Sequence, residues 1–175
     1  MKPKILITGP PRCGKSTLIS ELLKYFFNKN YTIHGFLTPD VKEEGKRIGF
    51  DVEDIHSGRS GKLARIGNYS SAYKLGKYCV FLEELEDIIS KLEIIDINHI
   101  DLLIIDEIGK MELYSRKFQN YLNRIFISEI AILSTIGLKL KHPIKNFILN
   151  LPNVNVFNLN KQNYQKTYQE VISKI

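Results

Sequence analysis

The chain has 175 residues, a formal net charge of +6 and 43% hydrophobic residues, which is the size and composition of one ordinary globular domain. No apolar run approaches the roughly 18 residues of a membrane helix, and the N-terminus passes directly into a strand, so we expect neither a membrane span nor a signal peptide. Its two cysteines are too few for a disulfide scaffold, which favours a reducing, cytoplasmic location.

The first predicted element is a short buried strand over residues 4–8, followed by a loop and an amphipathic helix. The loop matches G-x-x-x-x-G-K-[ST] at every fixed position. The backbone amides of such a loop enclose a phosphate, because its glycines adopt dihedrals that a Cβ would forbid. We therefore predict nucleotide binding by the whole loop, which consists of Gly9, Pro10, Pro11, Arg12, Cys13, Gly14, Lys15, Ser16 and Thr17.

The last residues of the loop have separate expected roles. Lys15 is expected to reach the β- and γ-phosphates and to act in catalysis, and the Ser16 hydroxyl is expected to ligate Mg²⁺. Thr17 is a candidate contact for the α-phosphate. The helix that follows adds its unpaired N-terminal amides and the positive end of its dipole.

A second strand is predicted over residues 31–37, and the glycine-containing segment 40–66 then departs from the strand–helix alternation. Alternating apolar and polar residues at 47–54 and 62–66 indicate an antiparallel β-hairpin inserted before the next helix. Arg47, Arg59 and Arg65 lie in this segment. They are either ligand contacts from a loop over the nucleotide or solvated residues of the hairpin.

A third strand is predicted over residues 102–105, and two carboxylates follow it directly. Ligands bind at the carboxyl ends of strands in open α/β sheets, so we expect Asp106 to hold Mg²⁺ and Glu107 to orient and deprotonate an attacking water. The catalytic prediction is thus Glu107, Lys15 and Asp106. The nucleotide-binding segment predicted around these acids consists of Leu102, Leu103, Ile104, Ile105, Asp106, Glu107, Ile108 and Gly109.

Two residues near this segment are further candidates for contacts to the γ-phosphate. Lys110 is either an internal cationic finger or a solvated side chain. Thr135 follows Ser134 at the end of a fourth predicted strand, residues 130–134.

The remaining predicted elements are a fifth strand at 154–157 and helices at 82–92, 115–126, 142–149 and 161–174. Strands that alternate with helices predict a parallel sheet covered on both faces, which is a three-layer α/β architecture. We expect residues 1–175 to form a single domain of this kind, with the hairpin at about 40–66 as an insertion.

Three functions are compatible with these motifs. Hydrolysis of nucleoside triphosphates follows from a carboxylate that activates water. A kinase for a nucleoside or another small molecule would use the same phosphate loop. A nucleotide-dependent switch that binds RNA or a protein is the third, with a modest basic cluster at Lys139, Lys141 and Lys145. The other lysines are scattered, so nucleic-acid binding is not strongly favoured, and we expect a monomer.

Four stretches of the chain together resemble the THEP-type, or cancer-related, nucleoside-triphosphatases. They are residues 9–17, 35–38, 47–50 and 105–112, and the last one, Asp-Glu-Ile-Gly-Lys-Met-Glu from Asp106, is the most specific. Residues 61–67 and 76–78 are also similar to that family. The lysine-rich stretch 137–148 departs from the family's usual small-residue motif.

The resemblance implies a P-loop NTPase domain of RecA-like type with a mostly parallel five-stranded core sheet in the order 5-1-4-3-2. It also implies Mg²⁺-dependent hydrolysis of ATP, GTP and other nucleoside triphosphates to the diphosphate and phosphate. On this sequence, residues 9–17 would bind phosphates, Asp106 would position Mg²⁺ and Glu107 would be the base.

Overall fold

The computed structural model describes residues 2–175, which form a ten-stranded mixed sheet with helices packed on both faces. The strands are β1 (Lys4–Thr8), β2 (Ile33–Leu37), β3 (Asp40–Glu43), β4 (Lys46–Asp54), β5 (Ser60–Ile66), β6 (Tyr73–Leu75), β7 (Tyr78–Val80), β8 (Leu102–Ile108), β9 (Ala131–Ile136) and β10 (Val154–Asn158). The helices are α1 (Lys15–Asn28), α2 (Glu83–Ile94), α3 (Arg116–Ile125), α4 (Pro143–Leu149) and α5 (Tyr164–Lys174). Short 3₁₀ turns lie at Ile97–His99 and Glu112–Tyr114.

Five strands form the parallel half of the sheet, in the order β10-β1-β9-β8-β2. Numbered along the chain among themselves, these strands have the expected order 5-1-4-3-2. The expectation of a five-stranded sheet was incomplete, because the sheet continues from β2 through β4, β5, β7 and β6 in antiparallel pairing, with β3 on β4. We call strands β3 to β7 the extension.

The extension is longer than the predicted hairpin. Its strands begin at Asp40 and end at Val80, whereas the alternating pattern indicated an end near residue 66. The missing strands, β6 and β7, have three residues each. Such short strands are held by pairing with β5 and with each other, and they contain no periodicity that a sequence pattern would reveal.

Two hydrophobic cores lie on opposite faces of the parallel half. Along β8, Leu102 and Ile104 face the core shared with α1 and α5, whereas Leu103 and Ile105 face the core shared with α2, α3 and α4. Both faces of the strand are therefore buried, and this explains why its sequence is a continuous apolar run rather than an alternating one.

The extension has a smaller cluster of its own. Ala64, Val80 and Leu82 form its buried centre, and Tyr114 packs against it from the 3₁₀ turn that follows β8. The Tyr114 hydroxyl donates to the Lys74 carbonyl oxygen at 2.9 Å. The outer strands are therefore attached to the segment that follows the predicted catalytic acids.

Between residues 2 and 175, no helix is both long enough and apolar enough to span a bilayer.

Candidate active site

The phosphate loop connects β1 to α1, as its sequence motif requires. Gly14 lies at the N-cap of α1 with φ of 103°, a conformation that few residues other than glycine adopt. Among the described residues no side chain caps this helix, so its first-turn amides remain free to bind an anion. Gly9 lies so close to its surroundings that a Cβ would stand 2.5 Å from the Leu159 oxygen and 2.7 Å from the Cys13 sulfur.

The loop side chains fall into two groups. Cys13 is buried against Gly9 and packs the loop onto the fold. The exposed members are Pro10, Pro11, Arg12, Ser16 and Thr17. The Lys15 ammonium donates to the carbonyl oxygens of Gly9 at 3.1 Å and Pro10 at 3.3 Å, which holds a positive charge at the mouth of the loop.

Asp106 lies near the end of β8, which is paired with β2 on one side and β9 on the other. The four residues before it, Leu102 to Ile105, are fully buried and fix the strand in the core. The Asp106 carboxylate is 4% exposed and accepts hydrogen bonds from the Thr135 hydroxyl on β9 and from the Ser16 hydroxyl at the start of α1. Burial raises the pKa of Asp106, and these hydrogen bonds and the charge of Lys15 act in the opposite direction.

Glu107 continues β8 beside Asp106, through a cis peptide bond. Burial raises the pKa of the Glu107 carboxyl, the neighbouring charge of Asp106 raises it further, and Lys15 lowers it. A base with a raised pKa accepts a proton more readily near neutral pH than an ordinary glutamate does. The loop and the two predicted catalytic acids therefore meet at one edge of the sheet.

The oxygen atoms in this site suit a small divalent cation. The Ser16 hydroxyl and the Asp106 carboxylate lie within hydrogen-bonding distance of each other, and both are the hard oxygen donors that Mg²⁺ prefers. Over residues 2–175 no cluster of three histidine, cysteine or acidic side chains has the geometry of a metal cage. A Mg²⁺ site needs no such cage, because one or two protein oxygens, water and substrate phosphates complete its shell.

The remaining residues predicted to contact the nucleotide do not all face the phosphate loop. Lys110 is exposed beyond the end of β8, and Ile108 is fully buried. Thr135 is also fully buried. Its hydroxyl donates a hydrogen bond to the Asp106 carboxylate and so orients that group, instead of facing a phosphate as predicted. The Ser134 hydroxyl donates to the Thr135 carbonyl oxygen at 3.0 Å.

The three arginines of the extension form ion pairs within the protein. Arg47 pairs with Asp40 at 2.6 Å, Arg59 pairs with Glu84 at 2.9 Å, and Arg65 pairs with Asp51. The two interpretations left open were ligand contacts and solvated residues of the hairpin. The ion pairs show a third arrangement, in which carboxylates of the protein itself hold all three arginines, that of Arg59 lying on α2.

One residue of this site had no role in the sequence analysis. Glu112 begins the 3₁₀ turn after β8, is 4% exposed and accepts hydrogen bonds from its own backbone N–H and that of Gly109. Burial and the charges of Glu107 and Asp106 raise the pKa of Glu112 to about 8. A single glutamate two residues after Lys110 resembles a solvated side chain in the sequence, so only its place in the Asp-Glu-Ile-Gly-Lys-Met-Glu string could have indicated it.

The chain is similar to known proteins over nearly its whole length. Residues 4–172 match the model of a family described as NTPase. The chain is 43% identical over 171 residues to the nucleoside-triphosphatase THEP1 of Thermotoga sp. (strain RQ2), covering 97% of this chain and 94% of that protein. It is 30% identical over 173 residues to THEP1 of Methanocaldococcus jannaschii, covering 98% and 96%.

Two solved structures are also similar over nearly their full lengths. The crystal structure of THEP1 from Aquifex aeolicus has a TM-score of 0.81 at 28% identity, and the match covers 97% of this chain and 97% of that one. The solution structure of a human cancer-related nucleoside triphosphatase has a TM-score of 0.79 at 31% identity, with 98% of this chain and 96% of that one covered. On the family match and these identities, the chain belongs to the THEP1 nucleoside-triphosphatase family of P-loop NTPases.

Proposed function

We propose that this protein is a Mg²⁺-dependent nucleoside-triphosphatase that releases the γ-phosphate and tolerates several bases. The observation that carries this proposal is the convergence of Lys15, Asp106 and Glu107 at the carboxyl edge of the sheet. The names of the relatives support the same reaction.

The residues of the site have distinct parts in this mechanism. The loop amides and the α1 N-terminus bind the phosphates, and Lys15 balances the negative charge on the terminal ones. Ser16 and Asp106 would hold Mg²⁺, which neutralises charge on the β- and γ-phosphates when it is bound. Glu107 takes a proton from water, whose oxygen forms a bond to the γ-phosphorus while the bond to the β–γ bridging oxygen breaks.

The proposed base tolerance follows from what the converging side chains can recognise. Lys15, Ser16, Asp106 and Glu107 all address phosphate, metal or water, and each of these is common to all nucleoside triphosphates. A site of this kind discriminates weakly between bases, because its binding energy comes from the shared part of the substrate.

The proposal is tested by phosphate release from ATP, GTP, CTP and UTP, with and without Mg²⁺. We expect release from all four, with kcat/KM values within about tenfold of each other, and loss of activity when Mg²⁺ is removed. Release from one nucleotide alone would contradict the base tolerance. Transfer of labelled phosphate to an acceptor, in excess of free phosphate, would indicate a kinase instead.

A Lys15→Ala variant tests the phosphate loop itself. We expect kcat/KM to fall at least about a hundredfold, because a preorganised charge on the phosphates is lost. Lys24→Ala is the matched control, since Lys24 is exposed on the same helix. Full activity of Lys15→Ala would overturn the assignment of this loop.

The proposed site of action is the cytoplasm. Cys13 and Cys79 are both free and buried, which supports action in a reducing compartment of this kind.

The alternative of a nucleotide-dependent switch was connected with a basic cluster at Lys139, Lys141 and Lys145. In this cluster, Lys145 donates to the carbonyl oxygens of Gly137 and Leu138. That lysine is used within its own loop, and the structure therefore gives the switch no additional support.

A further inference from the structure

Two histidine rings stack on each other at the junction between the parallel half and the extension. His34 lies in β2, and His56 lies in the turn that follows β4. Their rings are nearly parallel, with centroids 4.4 Å apart and an angle of 16° between the planes. His34 is 7% exposed, whereas His56 is open to solvent. The candidate active site uses neither ring, so the stack calls for an explanation of its own.

The stack holds the turn after β4 against β2. Between the two rings along the backbone, the Ile55 N–H donates to the Gly35 carbonyl oxygen at 3.0 Å. The Asp54 carboxylate accepts hydrogen bonds from the His56 N–H at 3.1 Å and from the Ser57 hydroxyl at 2.6 Å, which fixes the turn itself. The ring contact and these hydrogen bonds therefore act on the same short junction.

The charged groups around the stack leave a proton on the buried ring poorly compensated. They are Asp54 on β4, Arg59 beyond the turn, and Glu84, Asp87 and Lys91 on α2. The Lys91 ammonium pairs with Asp87 at 2.7 Å, and the Arg59 guanidinium pairs with Glu84 at 2.9 Å. Both oxygens of Asp54 already accept hydrogen bonds.

The other surroundings of the stack are apolar. A cavity of about 200 Å³ lies beside it, and its apolar lining consists of Ile88, Leu92 and Ile95. On β8, the residue in register with His34 is the fully buried Leu103. A charge on His34 would therefore lose most of its contact with water.

We propose that the stack of His34 on His56 is an acid-sensitive latch, which closes the junction at neutral pH and opens the turn after β4 when both rings are protonated. A neutral ring stacks on another neutral ring or on a cation. Two imidazolium rings 4.4 Å apart repel each other, and burial of His34 adds a cost of desolvation. Histidine is the side chain whose charge ordinarily changes between pH 5 and 8.

The direction of the pH dependence follows from the buried ring. Burial lowers the pKa of His34 below its usual value of 6.5, His56 lowers it further, and Asp54 acts in the opposite direction. The unfolded chain therefore binds this proton more readily than the folded protein does. The contribution of the latch to stability is complete above pH of about 6.5, and it is lost as the pH falls below that value.

A His34→Phe variant tests the latch through stability, because it keeps a flat apolar ring and removes the proton site. Below pH 6.5 the unfolding constant of the parent should rise by up to about tenfold per pH unit more than that of the variant, since one more proton is taken up on unfolding. His99→Phe, at an exposed histidine, is the control and should keep the slope of the parent. Equal slopes for the parent and His34→Phe would overturn the proposal.

Hydrogen exchange in the parent locates the opening and decides the matter if His34→Phe does not fold. The reporters are the Ile55 amide, bonded to Gly35, and the Gly58 amide, bonded to the Asp54 carbonyl oxygen at 2.8 Å. Between pH 7 and pH 5, after correction for the intrinsic exchange rates, we expect their protection to fall at least about tenfold more than that of the β1 amides.

His56→Phe is the matched variant for this measurement, because it keeps two stacked rings with a single proton site. Its protection at Ile55 and Gly58 should stay nearly constant over the same pH range. Unchanged protection of these amides in the parent would contradict the latch. An equal loss of protection throughout the sheet would also contradict it, since that result describes global unfolding.

Discussion

The parallel half of the sheet and the extension differ in how they are held together. In the parallel half, strands such as β1 and β8 are buried on both faces. The phosphate loop follows β1, and the two candidate catalytic acids lie near the carboxyl end of β8. The extension has one small apolar cluster and is tied together by ion pairs at its surface. The candidate active site therefore lies where closely packed strands end beside a helix N-terminus.

The two regions nevertheless meet at Tyr114. Its ring stacks on that of Tyr73 with a centroid distance of 5.2 Å, and it lies in the same 3₁₀ turn as Glu112. The extension therefore contacts the segment that carries the buried Glu112, although its own arginines are paired with other carboxylates.

The largest stability effect is expected for Gly35→Ala in the parallel half. Gly35 lies in β2 with φ of 120°, and a Cβ there would stand 1.8 Å from the Ile104 carbonyl oxygen. Relieving this overlap would separate β2 from β8, so we expect the free energy of unfolding to fall by about 3 kcal/mol or more. Chemical denaturation measures this change.

Gly45→Ala in the extension is the matched control. Gly45 also has a positive φ, of 75°, but no atom lies within 4 Å of its added Cβ. The cost should therefore be limited to the backbone conformation, at about 1 kcal/mol. Equal losses for the two variants would show that the parallel half is not the more tightly packed region.

The parallel half was the more predictable part of the fold for a physical reason. Continuous apolar runs such as residues 102–105 are required wherever both faces of a strand are buried, so the burial is visible in the residues themselves. The three-residue strands β6 and β7 depend instead on pairing with β5, which no local pattern encodes. Their existence was accordingly missed.

The same distinction applies to the candidate site. The phosphate loop and the two acids near the end of β8 belong to contiguous motifs, so the sequence suffices to propose them. The hydrogen bond from Thr135 to Asp106 depends on the register of β9 against β8, and the burial of Glu112 depends on a 3₁₀ turn. Both features arise from the tertiary structure and were therefore beyond sequence reasoning.

The smallest effect is expected for Arg59→Met in the extension. The Arg59 side chain is 56% exposed and pairs with Glu84 at 2.9 Å, and exposed ion pairs contribute about 1 kcal/mol or less. We expect a change of that size in the free energy of unfolding and no change in phosphate release. A large loss of phosphate release with the fold intact would show that this arginine serves the nucleotide site after all.

The central claim is that Glu107 is the base of a hydrolytic site assembled from the phosphate loop and the end of β8. It is tested most directly by phosphate release from a Glu107→Gln variant, with nucleotide affinity measured in parallel. We expect kcat to fall at least about a hundredfold while nucleotide binding is retained, because the general base is lost and the phosphate-binding groups are not. Hydrolysis by Glu107→Gln at the rate of the parent protein would contradict the account.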